Sequence, residues 1–180
     1  MSVSPEPYNS FGNGSAMRVS PVGFAFPNLE ETLREARLSA VATHNHPEGI
    51  KGAQATAAAV FLARTGHSKD EIAEYVLSMF LYDVNLDLSE LRRTYGFNET
   101  CQRTVPQALA VFLQSNSFED AIRKAVSIGG DSDTIACIVG GIAEAFYRYI
   151  PEAIRKKGMR KLDDRMTTVV DAFYEKYRAV

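Results

Sequence analysis

From residue 29 onward, apolar side chains recur every third or fourth position, and capping residues cut the pattern into helix-length segments. Asn28 with Glu31 forms a capping pair that opens a helix to about Ala42, with Leu29, Leu33, Ala36 and Ala40 on one face. Residues 50–65 form an Ala-rich segment in which Ala53, Ala57, Val60 and Ala63 share a face, and Gly66 ends it. Ser68 with Glu71 is a second capping pair, followed at helical spacing by Ile72, Val76, Met79 and Phe80. A short helix over 89–95 follows. Pro106 sits where a first-turn proline belongs, opening 107–114. Ser117 caps 118–128, which Gly129 and Gly130 terminate. Asp131 to Thr134 opens an apolar helix to about Tyr147, and Pro151 interrupts the chain. A last helix over 162–177 carries Met166, Val169, Val170, Phe173 and Tyr177 as its core face.

Residues 1–28 carry no such period. Pro5, Pro7, Gly12, Gly14, Pro21, Gly23 and Pro27 punctuate them, which predicts a loop region, and loops of this length tend to be functional. Alternating strand patterns are absent. The expectation is an all-α fold in one domain over 1–180, with 1–28 as the ligand-binding loop region and 29–180 as the helical core.

The net charge of −2 offers no general attraction to polyanions, so nucleic acid is not expected as a partner. The basic cluster Arg155, Lys156, Lys157, Arg160 and Lys161 reads as solvated surface. No stretch approaches the roughly 18 apolar residues of a membrane span, and no basic patch precedes an apolar run at the start, so the expected setting is cytoplasmic. Cys101 and Cys137 are in no metal-ligand spacing, and Cys137 falls in an apolar helical stretch, which predicts a buried reduced thiol.

Three segments carry candidate chemistry. In Ser127-Ile128-Gly129-Gly130-Asp131-Ser132-Asp133-Thr134, two glycines end one helix, and two carboxylates and a hydroxyl start the next. Asp131, Asp133 and Thr134 can converge in that turn as hard oxygen ligands for Mg²⁺, Ca²⁺ or Mn²⁺; a plain acidic N-cap accounts for the same residues. Phe11-Gly12-Asn13-Gly14-Ser15-Ala16-Met17-Arg18 offers backbone amides and a guanidinium to phosphate or carboxylate, or else an Asn-Gly turn with a solvent-exposed Arg18. Thr43-His44-Asn45-His46-Pro47-Glu48-Gly49 places polar groups ahead of the Ala-rich helix. It lacks a further His or Cys pair for zinc, and fits ligand contacts or a capped loop.

The three in this order resemble the ADP-ribosylglycohydrolase family, which includes the dinitrogenase reductase-activating glycohydrolases and the eye-lens J1 crystallins. The matching elements are Gly12 to Gly23, Thr43 to Ala57 and Gly129 to Tyr147, within a resemblance spanning residue 8 to about 151. It implies a compact helical protein that binds two Mg²⁺ or Mn²⁺ ions and cleaves the glycosidic bond of ADP-ribose. It further implies Asp131, Asp133 and Thr134 as metal ligands, and Gly12, Asn13, Gly14, Ser15, Met17 and Arg18 as substrate contacts. His44 matches a histidine near the ribose and phosphates.

The family pattern also opens with a Gly-Asp-Ala-x-Gly segment and a Thr-Asp-Asp-Thr motif that supply the other metal ligands and an acidic residue near the reacting carbon. This sequence has no counterpart, and Asp163-Asp164 lies in the wrong context to replace them. The expectation is therefore a bundle lacking the family's amino-terminal helices, with half of the metal site and no assignable catalytic residue. Loss of those helices uncovers apolar surface on the rest, so the chain is expected to be stable only as a homo-oligomer or beside a separate amino-terminal fragment; the alternatives to a hydrolase are a non-catalytic ADP-ribose- or nucleotide-binding module and a purely structural relative.

Overall fold

The computed structural model describes residues 6–177; residues 1–5 of the expected loop, Pro5 among them, and 178–180 lie outside. Among the described residues there are helices and no strand. They are α1 (Gly14–Met17), α2 (Ser20–Ala25), α3 (Leu29–Val41), α4 (Pro47–Arg64), α5 (Lys69–Phe80), α6 (Leu88–Thr94), α7 (Cys101–Leu113), α8 (Phe118–Ser127), α9 (Ser132–Tyr147), α10 (Glu152–Met159) and α11 (Asp164–Tyr177).

The Ala-rich α4 is the central element, touching α1, α2, α3, α5, α7 and α9. Every residue from Ala55 to Ala63 is buried. A helix apolar all round has no solvent face to keep, and its alanines let neighbouring backbones approach. The second hub is α9, which buries Ile135, Ile138, Val139, Ile142 and Ala143 against α4, α7 and α8. The capping signals hold: Asn28 accepts from Glu31 N, Ser117 from Asp120 N, and Ser68 with Glu71 forms a complete box. On α5, Ile72, Val76 and Phe80 are buried, but Met79 is exposed.

Four expectations are corrected. Residues 14–25 are not loop but α1 and α2. Pro21 lies in the first turn of α2, where its missing N–H costs nothing, and Gly23 is a contact point: a Cβ there would lie 2.5 Å from Val60 Cβ and 2.8 Å from Ala57 O. The second concerns α7, which starts at Cys101 and contains Pro106 in its interior. The burial of Cys101, Val105, Pro106, Ala108 and Leu109 on one side compensates the broken backbone bond. Third, Pro151 begins α10 as its cap residue rather than merely interrupting the chain.

Finally, the expected core face of α11 is not buried. Met166 and Val169 are exposed, while Val170, Phe173 and Tyr177 line a cavity of about 760 Å³ shared with Phe24, Arg64 and Ala145. The firm link from α11 is polar, with Tyr174 OH donating to Glu144 Oε1 at 2.7 Å. No helix among the described residues is long and apolar enough to cross a membrane.

Candidate ligand and metal site

The glycine-rich loop is fastened to the segment before α7. Asn13 N donates to Glu99 O at 2.7 Å, Cys101 N donates to Phe11 O at 3.0 Å, and Gly12 pairs with Thr100 in an isolated antiparallel bridge. From this anchored position the buried Asn13 reaches across the molecule. Its Nδ2 donates to Asp131 Oδ2 at 2.7 Å and to Thr104 Oγ1 at 3.1 Å.

Asp131 stands at the cap position of α9 but makes no side-chain capping bond. Its carboxylate is turned to Asn13 instead, and it is buried. The preceding Gly129 and Gly130 both adopt positive φ, +77° and +58°. At Gly130 a Cβ would also lie 2.8 Å from Gly96 O, so only glycine can deliver the chain to Asp131 along this path. In the first turn of α9, Asp133 is exposed and Thr134 is buried, with Thr134 Oγ1 donating to Met17 Sδ at 3.5 Å. The sequence-based candidates Asn13, Met17, Asp131 and Thr134 are thus brought together although they lie far apart in the chain.

His44, buried in the α3–α4 connection, flanks the same loop. A Cβ at Gly14 would sit 3.2 Å from His44 Nε2, and one at Gly12 would sit 3.6 Å from it. Its Nδ1 is 2.7 Å from Thr43 Oγ1. Burial, and then the Arg18 cation, hold its pKa below the ordinary imidazole value. Arg18 itself is exposed, and its Nη2 donates to Ser39 O and Thr43 Oγ1, each at 2.8 Å. Ser15 is fully buried, with Oγ donating to Gly49 O at 2.7 Å, so its side chain braces the loop against the start of α4.

Cys101 Sγ donates to Gly12 O at 3.1 Å, and burial pushes its thiol pKa up to about 11. The expected burial of Cys137 is corrected: the residue is exposed, although its sulfur is turned to Met17 O at 3.4 Å. That sulfur's partial desolvation and the nearby Asp133 raise its pKa.

Asp131, Asp133 and Thr134 offer hard oxygens in one helical turn, the donor chemistry of Mg²⁺ or Mn²⁺. Their number fits a partial shell only: among the described residues no group of three or more His, Cys, Asp or Glu is placed to hold a metal ion.

Sequence reasoning left Thr104 and Tyr8 unnamed, and gave Thr43 and Phe11 only as the opening residues of two candidate segments. Thr104 lies 91 residues from Asn13, with no local signal of its role. Tyr8 and Phe11 are exposed aromatic rings, 6.2 Å from His44 and 5.4 Å from His46 by centroid. Aromatics in a Pro- and Gly-rich segment were the available sign.

A family model described as ADP-ribosylglycohydrolase matches residues 2–180. ADP-ribosylhydrolase ARH3 of Homo sapiens is 31% identical, over 77% of this chain and 50% of that protein. An uncharacterized protein of Archaeoglobus fulgidus is 33% identical with the same two coverages. ADP-ribosylarginine hydrolase Tri1 of Pseudomonas putida is 30% identical, over 76% of this chain and 38% of that protein. A solved structure titled as an ADP-ribosylglycohydrolase-related protein complex superposes with a TM-score of 0.72 at 25% identity, covering 96% of this chain and 62% of that one. The chain spans about half the length of the curated relatives it matches. With its helical architecture and a family match along nearly its whole length, this chain belongs to the ADP-ribosylglycohydrolase family.

Proposed function

We propose that this chain carries the ADP-ribose-binding loop and the carboxyl-side metal ligands of an ADP-ribosyl hydrolase that cleaves a glycosidic bond at the ribose. The observation that carries the reading is the Asn13–Asp131 hydrogen bond, which ties the glycine loop to the acidic helix start. In this reading Asp131, Asp133 and Thr134 hold Mg²⁺ or Mn²⁺. The Gly12–Asn13 segment and the start of α1 at Gly14 receive the pyrophosphate through close backbone approach at the two glycines. His44 faces that approach, and the exposed rings of Tyr8 and Phe11 offer stacking surfaces to a nucleobase. A bound divalent ion, held by Asp131, Asp133 and Thr134, would supply Lewis-acid stabilisation of the charge that develops at the anomeric centre. The chain's own part is to bind, orient and hold.

Titrating ADP-ribose into the chain with and without Mg²⁺ tests this reading. Binding that strengthens with Mg²⁺ and is lost in Asp131→Ala, with helical content retained, supports it. Equal binding by Asp131→Ala removes the metal assignment.

The small number of clustered carboxylates favours a second reading, a non-catalytic ADP-ribose-binding module. Release of ADP-ribose from a modified peptide separates the two. Exposed Leu77, Met79, Leu81 and Phe97 support association with a second copy or with a separate polypeptide that supplies further ligands. A monomer by light scattering at micromolar concentration speaks against the homo-oligomer, and unchanged turnover on adding an amino-terminal fragment speaks against the split form. The free Cys101 and Cys137 are consistent with a reducing, cytoplasmic setting.

A further inference from the structure

We infer that Arg18 and Thr43 are positioning residues that hold His44 as the neutral tautomer protonated on Nε2, so that the imidazole meets a bound anion as a hydrogen-bond donor. The contacts among these three side chains admit one economical assignment of protons. A guanidinium can only donate, and Arg18 Nη2 does so to Ser39 O and to Thr43 Oγ1. Thr43 Oγ1 is thereby an acceptor toward Arg18, and its single proton goes to its other neighbour, His44 Nδ1, at 2.7 Å. With Nδ1 accepting, the ring proton sits on Nε2. The reverse arrangement would have Thr43 Oγ1 accept twice, which its two lone pairs allow, but would leave the Thr43 proton without an acceptor among the described residues.

The two ring nitrogens face different surroundings. Nδ1 is committed to Thr43, whereas Nε2 lies on the side of Gly12 and Gly14, where a Cβ on Gly14 would come to 3.2 Å. Burial and the Arg18 cation both disfavour imidazolium, so the group presented to the loop is a neutral N–H. A donor fixed by neighbours needs no reorientation when an anion arrives. Arg18 thus acts through Thr43 and His44 rather than by gripping the anion with Nη2. The tautomer belongs to the free chain; only the identity of the anion rests on the ADP-ribose reading.

The test uses the full chain with ¹⁵N-labelled histidine. Long-range ¹H–¹⁵N spectra at about pH 8, where imidazoles are neutral, report which nitrogen carries the proton, and His44→Gln assigns the His44 signals among the three histidines. The expected result is an unaveraged Nε2–H pattern for His44. In Thr43→Val it becomes an averaged mixture, and in Thr43→Ser it is restored. Arg18→Met, which frees the Thr43 hydroxyl to accept from Nδ1, also shifts the pattern toward averaging and serves if Thr43→Val does not fold. An Nδ1–H pattern in the unmodified chain, or an unchanged pattern in folded Thr43→Val or Arg18→Met, overturns the inference. On the same samples, Thr43→Val should weaken ADP-ribose binding about two- to tenfold. No binding by the unmodified chain overturns the ligand's identity while leaving the tautomer standing.

Discussion

Asn13 Nδ2 lies 2.7 Å from Asp131 Oδ2, joining residues 118 positions apart in a buried contact. The amide stands directly before α1 and the carboxylate directly before α9, so one hydrogen bond fixes the distance between the glycine loop and the acidic turn. A buried carboxylate without a donor is costly, and Asn13 supplies that donor while Thr104 Oγ1 takes its other proton. Asn13→Ala should lower unfolding stability by about 1–3 kcal/mol. Thr104→Val should cost less, because it leaves the Asp131 contact in place. Urea denaturation checks both, and equal losses in the two variants would contradict this order.

Asp133 separates ligand binding from stability. It is exposed in the first turn of α9 and makes no contact comparable to that of Asp131. Asp133→Asn should therefore change stability by no more than about 0.5 kcal/mol, yet remove the Mg²⁺ dependence of ADP-ribose binding. Calorimetry with and without Mg²⁺ reads the second effect. A full Mg²⁺ response in the variant would show that this carboxylate is not a ligand.

The two thiols should differ in accessibility. Cys101 is fully buried and its pKa is pushed up to about 11, so at pH 8 it is both protonated and covered. Cys137 is exposed, though its pKa too is raised. Reaction with a disulfide reagent at pH 8 should label Cys137 alone, slowly, and Cys101 only in denaturant. Simultaneous labelling of both in the native chain would mean that the packing of Cys101 against Gly52 opens readily.

Local chemistry explains what the sequence disclosed. Ser68, Asn28 and Ser117 each satisfy a backbone donor within three residues, so their helix starts need no tertiary information. The face of α11 could not be read so. Its apolar spacing is regular, yet Met166 and Val169 remain exposed, because spacing says which residues share a face and not whether another element covers it. Pro21 and Gly23 misled in the opposite sense. Each breaks helices in general, but one sits in a permitted first turn and the other at a contact with α4 that only the folded chain creates. The acidic turn was legible as a motif. Its partner Asn13 was named as a ligand contact, while its commitment to Asp131 and Thr104 depends on packing across three helices.

Gly23 provides a direct test of that contact. A methyl group there would lie 2.5 Å from Val60 Cβ and 2.8 Å from Ala57 O, both on the buried central helix. Backbone cannot yield as a flexible side chain does, so α2 must move away from α4. Although alanine favours a helix over glycine by roughly 1 kcal/mol, Gly23→Ala should destabilise by about 1–3 kcal/mol through overpacking. A thermal midpoint at or above that of the unmodified chain would mean that α2 is not seated on α4 as described.

His44 gives the fold a pH dependence of definite sign. Burial and Arg18 hold its folded pKa below the ordinary imidazole value of about 6.5. The unfolded chain therefore binds the proton more readily than the folded one between those two values. The His44 contribution to stability is fully present above about pH 6.5, declines as pH falls through that value, and is gone below the folded pKa. Carboxylates also titrate at the lower end, so the informative quantity is a difference. His44→Gln should remove part of the fall in urea midpoint between about pH 7.5 and 5, and Arg18→Met should diminish it by lifting the His44 pKa toward normal. Identical slopes in all three proteins would show that His44 is not held neutral by its surroundings, and with that the donor assigned to its Nε2 would lose its electrostatic support.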